Sequence, residues 1–169
     1  MPTATRPKLC LDSNVFLAVM LPETTKASQD DIRGADRLLR SLHKGEVTAI
    51  TSVMALAEVR WVFDREQKPG FDIARATLEN GFAGHLSILQ VDTDLAVASA
   101  IYRRRYYSKS NPFSYNDGIF LATAVLGGAT ALVTTDAHLL GASEVPAYRP
   151  SGFPAELRSL RPSRTLSSG

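Results

Sequence analysis

Four acidic residues of this sequence stand where a carboxylate could take part in chemistry. Asp12 and Asp136 each follow a short apolar run with the length and composition of a buried strand. Glu58 and Asp117 lie in helical patterns, on faces that carry apolar side chains three and four residues away. A carboxylate among apolar side chains needs a cation, strong hydrogen-bond donors or a proton. These four acids are therefore the candidate functional residues.

The four acids are expected to meet, because the carboxyl ends of parallel strands lie along one edge of a sheet. Within about 6 Å of each other and at an effective dielectric of about 20, each pair of carboxylates repels by about 3 kcal/mol. Six pairs then exceed the whole stability of a typical domain, which is about 5 to 15 kcal/mol. The set must take up protons or bind a divalent cation, and its oxygen donors suit Mg²⁺ or Mn²⁺ better than zinc.

A carboxylate-held divalent cation indicates hydrolysis of phosphate esters. Such an ion offsets the charge of the substrate, lowers the pKa of an attacking water and stabilises the leaving oxyanion. The sequence has no GxxxxGK[ST] loop, so turnover of nucleoside triphosphates is not supported. Hydroxyl and amide side chains next to the acids could orient the carboxylates. They are Ser13, Asn14, Asn116 and Thr134.

Each acid also has a purely structural interpretation, which the sequence leaves open. Asp12 and Asp136 could cap the helices that follow their strands, since aspartate is a favoured N-cap. Asp117, near a helix start that we assign to Asn116 as N-cap, could be placed there by the helix dipole. Glu58 could neutralise a buried arginine. The functional interpretation rests on the conjunction of all four.

Strands alternating with helices predict an α/β fold, a three-layer α/β/α sandwich around a central, mostly parallel sheet of four to five strands. The predicted strands cover 8–11, 47–51, 86–91, 129–135 and, at an edge, 144–148. The predicted helices cover 14–21, 32–43, 53–66, 72–82, 93–107, 117–126 and a short segment after residue 136, with a surface loop over 23–31.

Composition and length predict one domain. The 169 residues, 44% of them hydrophobic, suffice for a full core over residues 1–150, followed by a partly disordered extension over 151–169. The single cysteine, Cys10, excludes an internal disulfide and a multi-cysteine metal site, and it fits a reducing compartment. Neither a signal peptide nor a membrane span is expected, so we expect a soluble, cytoplasmic protein.

A basic run precedes the third acid. Arg103, Arg104 and Arg105 are followed by Tyr106 and Tyr107. Cations beside aromatic rings suit the phosphate backbone and unstacked bases of RNA. The alternative is that basic residues simply favour the carboxyl end of a helix.

Three segments of the chain resemble the PIN-domain ribonucleases, and among them the VapC-type toxins of toxin–antitoxin pairs. They read LCLDSNVFL, ALAEV and NDGIFLATAVLGGATALVTTD, and the resemblance covers about residues 8–150. It implies Mg²⁺- or Mn²⁺-dependent cleavage of RNA, a homodimer and an antitoxin protein as partner. The matching positions for the acidic set and its threonine are Asp12, Glu58, Asp117, Asp136 and Thr134.

Three functional hypotheses follow. The first is a metal-dependent endoribonuclease, and the second is a catalytically silent module of the same fold that binds RNA or protein. The third is a different carboxylate enzyme, since Asp92 and Asp94 have the spacing of a Toprim nucleotidyl site. Asp92 is better explained as a helix cap after a strand, and the third hypothesis leaves Asp117 and Asp136 without a role.

Overall fold

Five parallel strands form the central sheet. They are β1 (Lys8–Leu11), β2 (Thr48–Ser52), β3 (Leu86–Leu89), β4 (Ala131–Val133) and β5 (Ala147–Tyr148). In the computed structural model, which describes residues 6–152, they pair in the order β3-β2-β1-β4-β5. The predicted parallel sheet is therefore confirmed.

Helices flank this sheet and complete the α/β/α sandwich, as predicted. Within residues 6–152 they are α1 (Ser13–Met20), α2 (Gln29–His43), α3 (Met54–Arg65), α4 (Phe71–Asn80), α5 (Thr93–Tyr106), α6 (Tyr115–Leu126) and α7 (Ala137–Leu140). Short 3-10 turns span Pro22–Thr24 and Pro150–Gly152. None of the helices in this part of the chain is long and apolar enough to cross a membrane.

The order of the strands reverses beside β1. The chain adds β2 and β3 on one side of β1 and then returns to place β4 on its other side. Leu11 pairs with Val133, and the amide of Asp12 donates to the carbonyl of Val133 at 3.1 Å. Ligands of open α/β sheets bind at such a switch point, beyond the carboxyl ends of the strands.

The core lies between the sheet and its helices. Cys10 in β1 is fully buried, and burial raises the pKa of its thiol, so it packs as a small hydrophobic side chain as expected. Phe120 and Leu121 bury the predicted face of α6. Gly118 lets α6 approach α5 closely, since a Cβ at this position would lie 2.5 Å from the carbonyl oxygen of Ser99.

The start of α2 differs from the prediction. The sequence predicts a loop over 23–31 before a helix over 32–43, but α2 begins at Gln29. Ser28 is the N-cap, and its Oγ accepts a hydrogen bond from the amide of Asp31 at 3.1 Å. The cap lies inside a polar segment without hydrophobic periodicity, so the helical pattern first becomes visible one turn later.

The start of α6 also differs, because Ser114 rather than Asn116 is the N-cap. The Oγ of Ser114 accepts from the amide of Asp117 at 3.0 Å, and the Asp117 carboxylate accepts from the amide of Ser114 at 2.6 Å. This reciprocal capping box satisfies two amides at once. The side chain of Asn116 is left to donate to Glu58.

The carboxyl-terminal elements agree with the prediction in part. β5 is an edge strand as expected, although it spans only Ala147–Tyr148 of the predicted 144–148. From residue 153 onward, the predicted extension over 151–169 lies outside the described residues. The division into one domain over 1–150 and an extension stays a prediction.

Candidate functional site

The carboxyl edge of the sheet opens into a cleft of about 800 Å³, and all four predicted acids line it. Asp12 follows β1, Glu58 is in the second turn of α3, Asp117 is in the first turn of α6, and Asp136 follows β4. The four side chains come from four different elements. Tertiary structure therefore brings together acids that are up to 124 positions apart in the sequence.

Asp12 is buried and held by side chains alone. Its Oδ2 accepts hydrogen bonds from Thr134 Oγ1 at 2.6 Å and from Asn14 Nδ2 at 3.0 Å, and its Oδ1 faces Ser13 Oγ at 3.3 Å. Asp12 precedes α1 but makes no side-chain capping bond to it. The cap interpretation of Asp12 holds for its position only: Asp12 is the N-cap residue of α1, but its carboxylate makes no hydrogen bond to the helix amides and faces the cleft.

Glu58 is bound by polar side chains and not by an arginine. Asn116 Nδ2 donates to its Oε1 at 3.0 Å, and Ser13 Oγ makes a short hydrogen bond to its Oε2. Within the described residues Glu58 forms no ion pair, so its interpretation as the partner of a buried arginine is wrong. The four flanking residues predicted from sequence, Ser13, Asn14, Asn116 and Thr134, thus all contact Asp12 or Glu58.

The hydroxyl of Ser13 lies between the carboxyl groups of Asp12 and Glu58. Asp12 and Glu58 both approach its Oγ, but a hydroxyl has a single proton to donate. When that proton points to Glu58, the contact with Asp12 is favourable only if the Asp12 carboxyl donates a proton of its own. The geometry therefore favours a proton on Asp12 in the absence of a cation.

Asp117 and Asp136 combine capping with a place on the cleft. Asp136 Oδ1 accepts from the amides of His138 at 2.7 Å and Leu139 at 3.3 Å, as the cap interpretation predicted. Asp117 Oδ2 closes the capping box with Ser114. In each acid the second carboxylate oxygen accepts no hydrogen bond from residues 6–152. Capping fixes these two carboxylates and leaves one oxygen of each for a ligand.

Burial, and to a lesser extent repulsion between carboxylates, disfavours the charged forms of Asp12, Glu58 and Asp117. Burial raises the pKa of Asp12 to about 7; the hydrogen bond from Thr134 opposes this rise, and the charges of Glu58 and Asp136 add to it. Burial likewise raises the pKa values of Glu58 and Asp117, which are also close to neighbouring carboxylates. Burial is the main cause of these raised pKa values, and the repulsion expected from the sequence adds a smaller contribution.

The raised pKa of Asp12 predicts how stability depends on pH. The pKa of Asp12 in the folded protein, about 7, exceeds the ordinary value of 3.8. The contribution of the protonated carboxyl to folding stability is therefore complete below pH 4 and is lost as the pH rises through 7. In chelator, the free energy of unfolding of Asp12→Asn should therefore exceed that of the natural protein, by about 1 kcal/mol at pH 4.5 and by at most about 4 kcal/mol at pH 8. Urea unfolding at both pH values measures this gap; a gap that narrows with pH contradicts the prediction.

The donor set has the composition of a hard-cation site. It consists of carboxylate oxygens, and within the described residues none of the four acids forms a salt bridge with lysine or arginine. Such a set suits Mg²⁺ or Mn²⁺. Over residues 6–152, however, no three His, Cys, Asp or Glu side chains form a group that could hold a metal ion as they stand. The chemistry of the donors fits a divalent cation, whereas their spacing in this structure does not bring three of them within reach of one ion.

The cleft also contains residues that the sequence did not reveal as part of a site. Trp61 and Arg65 line it from α3, Lys26 lines it from the segment before α2, and Arg149 lines it from the turn after β5. Trp61 was expected on the apolar face of α3 beside Glu58, but 59% of it is exposed. Its spacing of three residues from Glu58 was the available signal. Nothing in the local sequence marks Arg149.

The predicted RNA-binding run lies outside the cleft lining. Arg105 forms an ion pair with Glu144, and the guanidinium of Arg103 stacks on Tyr107 and Tyr115 with its carbon 4.7 and 4.4 Å from the ring centroids. Arg104 is exposed. The role of this run in RNA binding stays a prediction.

The alternative based on Asp92 and Asp94 finds a structural explanation. Asp92 caps α5, and its Oδ1 accepts a hydrogen bond from the amide of Leu95 at 2.9 Å, as the cap interpretation predicted. Neither Asp92 nor Asp94 lines the acidic cleft. The carboxylates that line it are the four discussed above.

Comparison with known proteins identifies the fold. The family model described as PIN domain matches residues 9–144. No curated protein sequence matches the chain.

Solved structures share this fold at low sequence identity. VapC20 of Mycobacterium tuberculosis, described as a toxin that cleaves the sarcin–ricin loop, is 18% identical with a TM-score of 0.60, over 82% of this chain and 98% of that one. FitAcB of Neisseria gonorrhoeae is 22% identical with a TM-score of 0.59, over 84% and 97%. VapBC2 of Rickettsia felis, bound to a DNA fragment from its promoter, is 16% identical with a TM-score of 0.59, over 83% and 97%.

Proposed function

This chain belongs to the PIN-domain family, and we propose that it is a Mg²⁺- or Mn²⁺-dependent endoribonuclease that hydrolyses RNA phosphodiester bonds in the acidic cleft. The observation that carries the proposal is the convergence of four carboxylates from four elements on one cleft at the strand switch point. Within the described residues no lysine or arginine neutralises them, although Asp12 is buried and the other three are partly buried. A phosphodiester can bind beside several carboxylates only if a cation offsets their negative charge, and a divalent cation provides that charge.

We assign the metal-holding role to Asp12, Glu58, Asp117 and Asp136. When bound, a divalent cation lowers the pKa of an attacking water and offsets charge on the phosphate and the leaving oxygen. The residues of the chain orient the set: Thr134 and Asn14 fix the Asp12 carboxylate, and Asn116 and Ser13 fix that of Glu58. Fixed carboxylates lose little freedom on binding an ion, which favours affinity.

For the biological setting we propose the toxin of a toxin–antitoxin pair. Similarity to a solved toxin–antitoxin complex of Klebsiella pneumoniae, 20% identical with a TM-score of 0.58 over 84% of this chain and 97% of that one, supports an antitoxin protein as partner. A homodimer and a cytoplasmic location are part of the same proposal. The run Arg103, Arg104 and Arg105 is proposed as a secondary contact for the RNA backbone, since cations such as the exposed Arg104 and Arg105 contribute affinity through release of counterions.

A catalytically silent PIN-fold module that binds RNA or protein is the second candidate. It is favoured by one observation: within residues 6–152 the acids do not yet form a group that could hold a metal ion. In that case the cleft would be a binding surface, and the pKa values of Asp12 and Glu58 would be raised by burial and neighbouring carboxylates without any metal-binding role.

Cleavage assays with defined metals separate the two candidates. The purified full chain is incubated with single-stranded RNAs of mixed sequence in Mg²⁺, in Mn²⁺ or in excess chelator, and the cut ends are mapped. An endoribonuclease gives internal cuts with either metal and none in chelator. Binding of RNA without cuts under any metal condition would support the silent module instead.

A pair of variants on α3 tests the assignment of Glu58. Glu58→Gln keeps the shape of the side chain and can still hydrogen bond to Ser13 and Asn116, but it loses the charge. Because groups that only orient metal ligands already contribute about 10- to 100-fold, we expect Glu58→Gln to lower cleavage by at least about 100-fold.

The matched control is Asp64→Asn on the same helix. Asp64 is 58% exposed and pairs with Arg60 at 2.7 Å, away from the cleft. An exposed pair of this kind contributes little, so cleavage should stay within about twofold of the natural protein. Equal losses in both variants, measured as initial rates at fixed RNA and Mn²⁺, would show that Glu58 has no special role.

A further inference from the structure

One wall of the cleft is formed by α3, along which an acidic, an aromatic and a basic side chain follow one another. Glu58, Trp61, Val62 and Arg65 of α3 all line the cleft, at the spacing of one helical face. Seven residues of helix extend about 10 Å, so an acid, an aromatic ring and a cation follow one another over that length. Such a series fits one strand of nucleic acid that runs away from the acids along α3.

Trp61 is poorly explained by packing alone. It is 59% exposed, whereas the next cleft residue, Val62, is 7% exposed and belongs to the core. A scattered exposed apolar residue needs no explanation. Trp61 differs because its ring stands in a concave site one turn from a candidate metal-holding carboxylate, where a flat apolar surface would meet any ligand of the acids.

The neighbour of Trp61 is a cation suited to phosphate. The guanidinium carbon of Arg65 lies 4.5 Å from the centroid of the Trp61 ring, and this stacking limits the positions that the arginine adopts. Arg65 also pairs with Glu66 at 2.6 Å, but both side chains are partly exposed, at 43% and 34%. An exposed pair of this kind is weak, so an RNA phosphate can compete for the guanidinium.

The charges around the cleft favour a polyanion over a protein chain. Acids form one end, while Arg65, Lys26 and Arg149 stand around the rim. Arg149 is held in place by the buried carboxylate of Asp31, which accepts from its Nε at 3.2 Å and from its Nη2 at 3.0 Å. Cations spaced around an aromatic ring are the usual elements of a surface for single-stranded nucleic acid.

From these contacts we infer that Trp61 and Arg65 form the substrate platform of the cleft: the Trp61 ring stacks on a base of single-stranded RNA, and Arg65 contacts the adjacent phosphate. This inference rests on the proposed ribonuclease function and names how its substrate is positioned. Trp61 is a binding residue here and takes no part in proton transfer.

Trp61 is the only tryptophan of the 169 residues, so its fluorescence reports on the platform directly. The experiment titrates full-length Asp12→Asn protein in Mg²⁺ with a 12-nucleotide single-stranded RNA of mixed sequence. Tryptophan emission and the anisotropy of labelled RNA are recorded in parallel. We expect saturable quenching of the tryptophan with the same midpoint as the anisotropy curve.

Variants then separate stacking from a structural effect. Stacking on one aromatic side chain contributes about 10- to 100-fold to affinity for a strand, so Trp61→Ala should weaken RNA binding by that factor. Trp61→Phe keeps a ring and should stay within about threefold. The control is Leu126→Ala, a 55% exposed apolar residue at the far end of α6 that lines neither the cleft nor its rim.

The outcomes distinguish this inference from the proposed function. RNA that binds and is cut by the natural protein, with silent tryptophan emission or full affinity in Trp61→Ala, overturns the platform alone. Quenching without any cleavage by the natural protein supports the platform and overturns hydrolysis. Absence of RNA binding overturns both. A blue shift of the emission with protein concentration alone, together with dimer formation by sedimentation, overturns the platform and assigns Trp61 to a protein interface.

Discussion

Asp12→Asn should abolish RNA cleavage while leaving the fold intact. A metal-ion site contributes several kcal/mol of charge stabilisation, so losing its most buried carboxylate should lower the rate by about 10³-fold or more. Asp12 is the carboxylate with the most side-chain hydrogen-bond partners in the cleft, namely Thr134, Asn14 and Ser13. It is therefore the group whose position is most closely fixed.

The asparagine fits the same hydrogen bonds. Its carbonyl oxygen can take the place of Asp12 Oδ2, which accepts from Thr134 and Asn14, and its NH₂ can donate to Ser13 Oγ. Ser13 then keeps its own proton for Glu58. The asparagine amide thus supplies the hydrogen-bond donor that a charged Asp12 cannot provide to Ser13. The variant should therefore fold at least as stably as the natural protein.

Thermal unfolding with and without Mn²⁺ tests the metal-binding role apart from activity. An ion present at 100 times its dissociation constant stabilises the folded state by about 2.7 kcal/mol, so the natural protein should melt at a higher temperature in Mn²⁺ than in chelator. Asp12→Asn should show little of this shift, while Asp64→Asn should show all of it. An unchanged Mn²⁺ shift in Asp12→Asn, or full cleavage activity, would remove Asp12 from the metal site.

Asp31→Ala should be the most destabilising of the single substitutions considered. Asp31 is fully buried near the start of α2, and its carboxylate accepts hydrogen bonds from Ser28 Oγ, the Arg149 guanidinium and the amide of Ser151. Burial opposes its ionisation, but these bonds outweigh it and hold the pKa of Asp31 below its usual range. Removing one partner of such an ion pair costs about 3 to 5 kcal/mol when both are buried.

Arg149 is 47% exposed and recovers part of its hydration, so about 3 kcal/mol is expected for Asp31→Ala. The adjacent Asp30→Ala is the matched control: Asp30 and its partner Arg33 are 78% and 67% exposed, and the loss should be below about 0.5 kcal/mol. Urea unfolding at pH 7 measures both. Similar small losses would mean that the link between α2 and the carboxyl-terminal turn contributes nothing to stability.

The pH dependence of Asp31 runs opposite to that of Asp12. Since the folded pKa of Asp31 is lowered, its stabilisation is present above the ordinary aspartate pKa and is lost as the pH falls through the folded value. The ionised carboxylate of Asp31 stabilises the fold, whereas the ionised carboxylate of Asp12 destabilises it. The difference separates an acid that has a cationic partner, Arg149, from an acid that forms no salt bridge with a lysine or arginine among residues 6–152.

The sequence by itself determined the secondary-structure elements and which four acids are candidate functional residues. Strand and helix periods are visible over a few residues, so the elements from β1 to α7 could be predicted to within a few positions. The four acids stood out because each breaks a hydrophobic pattern or ends a strand. Capping choices were harder, as at Ser114 and Ser28, because several polar residues compete within one turn.

Only the tertiary structure decided which groups meet. That Asp12 and Asp136 share a cleft depends on β4 pairing beside β1, and local periodicity cannot rank strand orders. The hydrogen bond from Asn116 to Glu58 joins residues 58 positions apart, and that from Arg149 to Asp31 joins residues 118 apart. The rotation of α3 that exposes Trp61 is likewise set by packing against the rest of the chain. Contacts of this range arise from the sum of all packing interactions, which no short window of sequence contains.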